Sequence, residues 1–264
     1  MKGIIFHTRS FSVNDGPGIR KAIFFKGCPL QCLWCHNPES QSFDVEWMQD
    51  VQRVGDKQFC HTQAVGYETT VEEVMHTVRA DIPFFEESGG GVTLTGGEPL
   101  AQPEFAIAIL KACTQEGIHT ALDTGGYAPK EVFEQSIPYT VVYLFDLKIA
   151  DDGKHREFTG QGNGDILENL SIISNAGKNI IIRIPLVKDI TDTSENLDDL
   201  KTIISRTKGI SRIDLLPYHS LAQHKFSKQG KDYSLAQMDN YPRQKAQEIA
   251  LSFQGLAPVV TVVG

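Results

Sequence analysis

Short apolar runs alternate with amphipathic segments along most of the chain. The strand-like runs are short and stop at glycine or polar residues; they cover residues 19–27, 91–95, 119–124, 139–148, 179–186 and 212–218. Between them, apolar residues recur every three or four positions, which is the spacing of one face of an α-helix. The predicted helices follow Thr70 and then lie near residues 103–116, 129–136, 165–176, 194–207 and 238–253.

Capping residues mark several of the predicted helix ends. Thr70 and Glu73 have the spacing of a capping box, in which each side chain bonds the backbone N–H of the other residue. Ser194 is expected to cap its helix, and Gly117 to end the helix that begins at Pro103. Local signals therefore support the boundaries that periodicity predicts.

The alternation of strands and helices predicts an α/β fold. Strands separated by helices imply parallel pairing with right-handed crossovers. About six such units fit, which is too few for a closed eight-fold barrel. We therefore predict a partial (β/α)6 TIM-like barrel of parallel strands with outer helices, with its functional site at the carboxyl ends of the strands. Residues 1–264 are expected to form a single domain, with the polar, aperiodic residues 39–69 as an insertion before the first helix.

The composition excludes several classes of function. The 264 residues are 41% hydrophobic and 22% charged, which is ordinary for a globular protein. A net charge of −8 argues against a nucleic-acid partner, because such binders usually carry a basic patch. No apolar run approaches the roughly 20 residues of a membrane-spanning helix, and the apolar stretch in residues 1–7 is too short for a signal peptide. We therefore expect a cytoplasmic protein with no membrane partner.

Three of the five cysteines fall in one short loop, Cys28-Pro-Leu-Gln-Cys32-Leu-Trp-Cys35. The loop begins where the first predicted strand ends, so it should lie at the functional edge of the sheet. Three thiolates can hold three irons of a 4Fe–4S cluster and leave the fourth iron open to a small molecule. Electron transfer from such a cluster can cleave a bound sulfonium. Cys60 and Cys113 are not expected to be ligands, since Cys113 fits a helix core face and Cys60 stands alone.

A zinc site is the alternative for this loop. Cys28, Cys32, Cys35 and His36 are four residues of the types that bind structural zinc. Adjacent Cys35 and His36 would have difficulty in facing one tetrahedral ion together. The spacing and the position after a strand favour the iron–sulfur interpretation.

Polar residues also end the next strands. Gly96-Gly97-Glu98-Pro99 follows the strand over residues 91–95; adjacent glycines let backbone approach a ligand, and Glu98 could accept a hydrogen bond from an ammonium group. A tight strand-to-helix turn is the alternative interpretation of this segment.

Charged residues end the third to fifth strands: Asp123-Thr124, Asp146-Leu147-Lys148 and Arg183. Buried carboxylates need a cation or an ion-pair partner, and a buried arginine needs an anion. A bound ligand with a carboxylate, together with a cation, would meet both needs. A structural Asp–Lys pair and an ordinary aspartate partner for Arg183 are the alternatives.

Two motifs resemble a known family. The C-x3-C-x2-C spacing is similar to the signature of the radical S-adenosylmethionine (SAM) superfamily, and His36-Asn37-Pro38 follows it directly. Upstream, Asp15-Gly16-Pro17-Gly18-Ile19-Arg20 resembles the D-G-P-G-I-R loop of glycyl radical enzyme activating enzymes. The similarity extends over nearly the whole chain, and the two motifs together are specific.

The resemblance implies a set of site residues. One 4Fe–4S cluster would be held by Cys28, Cys32 and Cys35. SAM would be bound by Trp34, His36, Asn37, Gly96, Gly97, Glu98, Asp146, Leu147, Lys148, Arg183 and His219. A monovalent cation near the SAM carboxylate would be held by Asp123, Thr124, Leu144 and Asp146, and the partner's glycyl loop would contact Asp15 and Gly16.

The resemblance also implies the reaction. A flavodoxin or ferredoxin type reductant would supply an electron, SAM would be cleaved to methionine and a 5′-deoxyadenosyl radical, and that radical would take hydrogen from a glycine of a partner glycyl radical enzyme. Many such activases carry extra clusters in a cysteine-rich insertion; here residues 39–69 contain only Cys60, so no auxiliary cluster is expected. A radical SAM enzyme for a small molecule and a non-enzymatic zinc-binding module are the competing hypotheses.

Overall fold

The computed structural model describes residues 1–55 and 57–263. Its strands are β1 (Lys2–Ser12), β2 (Arg20–Phe25), β3 (Glu46–Val54), β4 (Lys57–Val65), β5 (Tyr67–Thr70), β6 (Gly91–Gly96), β7 (His119–Thr124), β8 (Val142–Asp146), β9 (Asn179–Leu186), β10 (Ile210–Pro217) and β11 (Val259–Val262). Its helices are α1 (Val71–Arg79), α2 (Ile82–Ser88), α3 (Pro103–Gln115), α4 (Lys130–Ser136), α5 (Asp152–Thr159), α6 (Gly164–Asn175), α7 (Ser194–Arg206), α8 (Ala222–Lys228) and α9 (Arg243–Ser252).

One curved sheet forms the centre of the molecule. Its strand order is β11-β10-β9-β8-β7-β6-β2-β1-β5, and the pairing is parallel from β2 to β11. β1 joins β2 in antiparallel pairing, and β5 joins β1 in the same way. Within the described residues, β11 and β5 are the two edges of this sheet. The prediction of an α/β fold with a partial (β/α)6 TIM-like barrel and outer helices is confirmed, with β11 as a further parallel strand at one edge.

The two faces of the sheet differ because successive side chains of a strand point in opposite directions. On the outer face, Leu94, Leu122 and Phe145 are fully buried in the main core with the helices. The inner face carries a small apolar cluster of Ala121, Val142, Leu144 and Ile181. Beyond this cluster, the inward positions at the carboxyl ends are polar. The polar site therefore lies at the carboxyl end of the barrel, directly above this apolar cluster.

Capping side chains mark the starts of α1 and α7. Thr70 caps α1, and Glu73 bonds back to the Thr70 N–H, so the predicted capping box is confirmed. The prediction that Ser194 caps α7 is wrong. Thr193 has the extended backbone of a cap, and its hydroxyl accepts a hydrogen bond from the Asn196 N–H at 3.3 Å, so Ser194 is the first helical residue.

Two predicted elements are shorter in the structure. The strand predicted over residues 139–148 is confined to β8, because Ile137–Tyr139 forms a 3₁₀ turn and the strand ends at Asp146. The last helix, predicted near residues 238–253, begins only at Arg243, because Pro242 precedes it and lacks an N–H. The elements that were not predicted are the helices α2, α5 and α8 and the strands β1, β3, β4, β5 and β11.

The predicted insertion contains regular structure. β3 and β4 pair over Glu46–Val54 and Lys57–Val65 as a separate two-stranded hairpin, which precedes β5. The predictions of one domain over residues 1–264 and of an insertion over residues 39–69 include residues 56 and 264, which lie outside the described residues; both stay predictions. No helix within residues 1–55 and 57–263 is long and apolar enough to cross a bilayer.

Candidate active site

The cysteine loop begins with a turn that only glycine adopts easily. Gly27 has a φ of 89°, a left-handed conformation, directly after β2. Its N–H donates to the Ser40 carbonyl at 2.7 Å, and the Cys28 N–H donates to the Gln41 carbonyl at 3.2 Å. The start of the loop is thus tied to the segment that follows it.

Helix α5 supports the middle of the loop. The Gln31 N–H donates to the Thr159 carbonyl at 2.7 Å, and the Leu33 N–H donates to the Phe158 carbonyl at 3.1 Å. The Thr159 hydroxyl and the buried His155 ring bond one another at 3.0 Å, which holds this end of the helix in place. Sequence reasoning found no role for His155 or for α5, because a supporting hydrogen bond through a carbonyl leaves no residue signature.

The three thiols of the loop border one cavity of about 230 Å³. Burial raises the pKa of Cys28, Cys32 and Cys35, that of Cys35 to about 12. Thiols with such pKa values stay protonated at neutral pH unless a metal replaces the proton. Within residues 1–55 and 57–263, no set of three or more His, Cys, Asp or Glu side chains surrounds a position for a single metal ion.

The donor set fits an iron–sulfur cluster. Soft thiolates are the usual ligands of such clusters, and three of them leave one iron for another ligand. The His36 ring lies against the His219 ring, with centroids 4.2 Å apart and the ring planes inclined at 33°, and the His36 Nε2 atom is buried without a hydrogen-bond partner. Burial lowers the pKa of His36 to about 4, so this ring is neutral.

Four charged side chains meet at the ends of β7, β8 and β9. Arg183 Nη1 lies 2.8 Å from Asp123 Oδ2, and Lys148 Nζ lies 3.0 Å from Asp146 Oδ2. Arg183 Nε lies 3.9 Å from Asp146 Oδ1. The ion pairs that the sequence offered as structural alternatives are therefore present. Two carboxylates and two cations balance one another inside a largely buried site.

The pKa values follow from burial and from these pairs. Burial raises the pKa of Asp123, and Arg183 opposes that rise. For Lys148, burial opposes the charge, but the Asp146 carboxylate outweighs it and holds the pKa of Lys148 above its ordinary value. The network stays charged only while both partners of each pair remain, because a single buried charge is costly.

Some buried polar atoms of this region lack partners. Asp146 Oδ1, His36 Nε2 and His219 Nδ1 are buried without a hydrogen bond. Buried polar atoms in proteins are nearly always satisfied, so each exception needs an explanation. Asp146 and His36 border the cavity, where a ligand could supply the missing bonds.

Glu98 is used inside the protein. Its Oε1 accepts from the Leu100 N–H at 3.2 Å, and its Oε2 accepts from the Thr124 hydroxyl at 2.7 Å and from the Gly125 N–H at 2.9 Å. Gly97 packs so closely on Gly27 that a Cβ there would overlap the Gly27 carbonyl. The tight turn offered as an alternative is thus observed, and the carboxylate ties two strand ends together.

The structure brings most predicted site residues together and leaves some apart. Those that border the cavity with the thiols are Trp34, His36, Asn37, Gly96, Gly97, Glu98, Asp123, Thr124, Asp146, Lys148 and Arg183. Leu144, Leu147 and His219 are not among the residues that line the cavity. Leu144 and Leu147 are buried, and the Leu147 N–H donates to the Arg183 carbonyl at 2.8 Å. Thr95, Leu216 and Tyr218 also line the cavity and were missed, because no motif marks them.

Asp15 and Gly16 lie in the barrel interior close below the charged strand ends, since Thr93, which bonds the Asp15 carbonyl, is two residues before Thr95, which bonds Asp123 at 2.7 Å. The Asp15 carbonyl accepts from the Thr93 hydroxyl at 2.6 Å, and a Cβ on Gly16 would come within 3.7 Å of the Ala121 Cβ. Arg9 lies 3.0 Å from the Asp15 carboxylate. The fully buried Arg20 donates to the Pro17 carbonyl at 3.0 Å and fixes this loop.

Comparison with known proteins gives a consistent result. The model of the radical SAM superfamily matches residues 22–200. The chain is 36% identical to the trans-4-hydroxy-L-proline dehydratase activating enzyme of Clostridioides difficile, over 96% of this chain and 97% of that protein. It is 37% identical to the pyruvate formate-lyase-activating enzyme of Clostridium pasteurianum, over 94% and 95%. A crystal structure of a domain of pyruvate-formate lyase-activating enzyme from Bacteroides vulgatus superposes with a TM-score of 0.56 at 31% identity, covering 66% of this chain and 99% of that one.

Glu98 should make stability depend on pH. Burial raises its pKa from 4.5 to about 7, although its hydrogen-bond donors oppose the rise. Between these values the folded protein keeps a proton that the unfolded chain releases, so the free energy of unfolding should fall as pH rises from 4.5 to about 7. The free energy of unfolding of the cofactor-free protein can be measured by urea denaturation at several pH values. Its fall between pH 4.5 and about 7 should be smaller in Glu98→Gln than in wild type, by up to about 3 kcal/mol.

The control is Glu104→Gln, which changes an exposed glutamate of α3 and should keep the slope. An unchanged slope in Glu98→Gln would show that Glu98 is ionised in the folded protein throughout this range.

Proposed function

This chain belongs to the radical SAM superfamily, among the glycyl radical enzyme activating enzymes, and we propose how its residues generate a glycyl radical on a partner enzyme. The 4Fe–4S cluster and SAM supply the chemistry when bound: reductive cleavage of SAM yields a 5′-deoxyadenosyl radical, which takes hydrogen from the partner's glycine. The observation that carries the residue assignment is that three thiols and the charged ends of β7, β8 and β9 border one cavity.

Cys28, Cys32 and Cys35 hold the cluster in this proposal. Their thiols lie at the functional edge of the sheet, and α5 holds the backbone between them through the carbonyls of Phe158 and Thr159. Loss of the thiol protons to bound iron would remove the desolvation cost that raises their pKa values.

SAM occupies the rest of the cavity. Arg183 would hold the ligand carboxylate, because it is a largely buried cation that lines the cavity between Asp123 and Asp146. The backbone of Gly96 and Gly97, rather than the Glu98 carboxylate, would contact SAM. The Glu98 oxygens already accept three hydrogen bonds from the protein. Lys148, Trp34 and Asn37 line the walls of the cavity, and Leu147 supports the site from behind through its backbone bond to Arg183. We assign the adjacent rings of His36 and His219 to the nucleoside.

A monovalent cation is part of the proposal. Asp146 Oδ1 is buried without a hydrogen bond, and Asp123 stands on the neighbouring strand, paired in register with Leu144. The Thr124 hydroxyl, which bonds Glu98 in the present structure, would have to turn toward the ion. A cation here would keep the site neutral when a ligand carboxylate draws Arg183 away from its carboxylates.

The partner is a glycyl radical enzyme whose loop enters the barrel. Asp15 and Gly16 are the residues we assign to contact with that loop; Gly16 has a φ of 124° and packs so closely on Arg20 that a Cβ there would lie 3.0 Å from the Arg20 side chain. A flavodoxin or ferredoxin type protein serves as reductant, and the reaction takes place in the cytoplasm. The residues of the activase position the partner's glycyl loop and exclude water, because a carbon radical would otherwise react with groups other than the target glycine.

Replacing any cysteine of the loop should remove the cluster. In Cys28→Ala, Cys32→Ala and Cys35→Ala, one iron loses its only protein ligand, so iron and labile sulfide content should fall sharply and SAM cleavage should cease. Cys60→Ala and Cys113→Ala are the matched controls and should keep full iron content. Four irons and full SAM cleavage in Cys32→Ala would contradict the assignment.

Asp146→Asn should weaken SAM binding and remove its dependence on Na⁺ or K⁺. Loss of the carboxylate removes a cation ligand, and we expect about tenfold weaker binding in anaerobic titrations, with iron content unchanged. Asp214→Asn is a matched control, because Asp214 is also buried and ion-paired, with Arg212 at 2.8 Å. If Asp146→Asn lost only thermal stability and bound SAM normally, the Asp146–Lys148 pair would be structural.

The function itself is tested with purified glycyl radical enzymes, beginning with the two for which the relatives above are named. Reduced protein with SAM and the correct partner should produce a glycyl doublet in the partner's electron paramagnetic resonance spectrum. Partner labelled with carbon-2-deuterated glycine should transfer deuterium to 5′-deoxyadenosine. Deuterium that never appears there with any candidate, while a metabolite is consumed in step with SAM, would contradict the proposal.

A further inference from the structure

The hydrogen-bond ladder between β8 and β9 stops just before Lys148. Asp146 and Arg183 are the last pair in register, and the Leu147 N–H then donates to the Arg183 carbonyl at 2.8 Å. Lys148 follows this last bond, so the ladder does not fix its backbone. Its side chain is nevertheless buried, pairs with Asp146 at 3.0 Å and lines the cavity that the three thiols border. A contact from outside these two strands must therefore hold this cation in place.

Asn196 makes that contact from the first turn of α7. Its Nδ2 atom donates to the Lys148 carbonyl at 3.2 Å and to the Thr191 carbonyl at 2.8 Å. Its Oδ1 atom accepts from the Ala150 N–H at 2.9 Å. The residue is 4% exposed, and both its donors and its acceptor are used. Because the amide cannot turn without losing a buried hydrogen bond, it holds these three backbone groups at fixed separations.

Thr191 connects this contact to β9. Its hydroxyl donates to the Pro185 carbonyl at 2.6 Å and accepts from the Val187 N–H at 2.7 Å. Thr191 is fully buried, and Pro185 and Val187 both line the cavity of the thiols. The contacts that begin at Asn196 therefore end on the strand that carries Arg183.

The local sequence places Asn196 at this point. The Thr193 hydroxyl accepts from the Asn196 N–H, so Asn196 is the third residue of α7 and the cap fixes its direction. Since α7 follows β9, its first turn lies at the carboxyl end of that strand. Asparagine lowers helix stability relative to alanine, and here its side chain bonds the backbone of other segments.

We infer that Asn196 is a positioning residue, which sets the distance between Lys148 and Arg183 and so fits the cavity to the amino and carboxylate groups of SAM. The inference rests on the proposed function, because it takes SAM as the ligand of this cavity. Both groups are charged, and the energy of an ion pair changes with the distance between the charges. The adenine and ribose carry no charge, so their binding should not depend on the position of Lys148.

A purely stabilising role is the alternative for a buried asparagine, and Asn169 offers the comparison. It is 1% exposed, and its Nδ2 atom donates to the Gly126 carbonyl at 2.9 Å and to the Ala128 carbonyl at 2.8 Å. Asn169 thus matches Asn196 in residue type, burial and number of donated bonds, but it bonds the segment after β7. A change at Asn169 therefore removes buried hydrogen bonds without releasing Lys148.

The test compares Asn196→Ala with wild type and with Asn169→Ala. All proteins are full-length and carry the oxidised cluster, so SAM binds without being cleaved. Anaerobic titrations measure the dissociation constants of SAM and of 5′-methylthioadenosine, which lacks the aminocarboxypropyl group and the positive charge of SAM. Asn196→Ala should bind SAM about tenfold more weakly and 5′-methylthioadenosine as wild type does. Asn169→Ala should bind both compounds as wild type does, although the melting temperatures of both variants should fall.

A double-mutant cycle shows whether Asn196 acts through Lys148. Lys148→Met removes the ammonium group and should itself weaken SAM binding. Adding Asn196→Ala to Lys148→Met should then weaken SAM binding by less than about twofold, because the cation that Asn196 positions is already gone.

A second variant tests the same series of contacts one step further along. Thr191→Val keeps the size of the side chain and removes the hydroxyl that bonds Pro185 and Val187. It should show the same selective loss of SAM affinity, and it decides the question if Asn196→Ala does not fold.

Two sets of results would overturn the inference. Equal losses of affinity for SAM and 5′-methylthioadenosine in Asn196→Ala, or equal losses of SAM affinity in Asn196→Ala and Asn169→Ala, would leave Asn196 a stabilising role alone. Unchanged SAM affinity in Asn196→Ala, or a full tenfold loss when it is added to Lys148→Met, would show that Asn196 does not act through the lysine. Either can occur while wild type binds SAM and activates its partner; a wild type that binds no SAM contradicts the proposed function instead.

Discussion

Burial of opposite charges at the carboxyl ends of parallel strands is the constraint on which the rest of this structure depends. Each of four side chains there is charged, and their charges sum to zero only together: Asp123, Asp146, Lys148 and Arg183. Removing one partner of a buried pair typically costs about 3–5 kcal/mol, because the other charge is left uncompensated. SAM carries a carboxylate, an amino group and a sulfonium. A site that already contains paired carboxylates and cations can bind it by replacing protein ion pairs with protein–SAM ion pairs, so no buried charge is left without a partner.

The fold provides this site because parallel strands end at the same edge. The cysteine loop leaves β2 at that edge, and the helix α5 carbonyls at Phe158 and Thr159 hold it against the charged strand ends. Glu98 adds a second tie, since it joins the end of β6 to Thr124 and Gly125 after β7. The side chains that surround the ligand are thus fixed by neighbours that do not themselves need to touch it.

The sequence predicts what depends on local pattern and strand position. The alternation of strands and helices, the Thr70 capping box and the meeting of Asp123, Asp146 and Arg183 all follow from spacing or from parallel strands sharing an edge. It does not predict that Thr193 rather than Ser194 caps α7, because adjacent hydroxyl residues carry the same propensity. Nor does it predict the support from α5 or the internal bonds of Glu98, which depend on contacts between segments distant in sequence.

The central claim is that the three thiols and the charged strand ends form one site, for a 4Fe–4S cluster and SAM together. Anaerobic crystals grown with SAM and measured at the iron and zinc absorption edges test it most directly. The account predicts anomalous iron density bounded by Cys28, Cys32 and Cys35, with the carboxylate of SAM near Arg183. Zinc density with His36 as a fourth ligand, and no SAM among Asp123, Asp146 and Arg183, would contradict it.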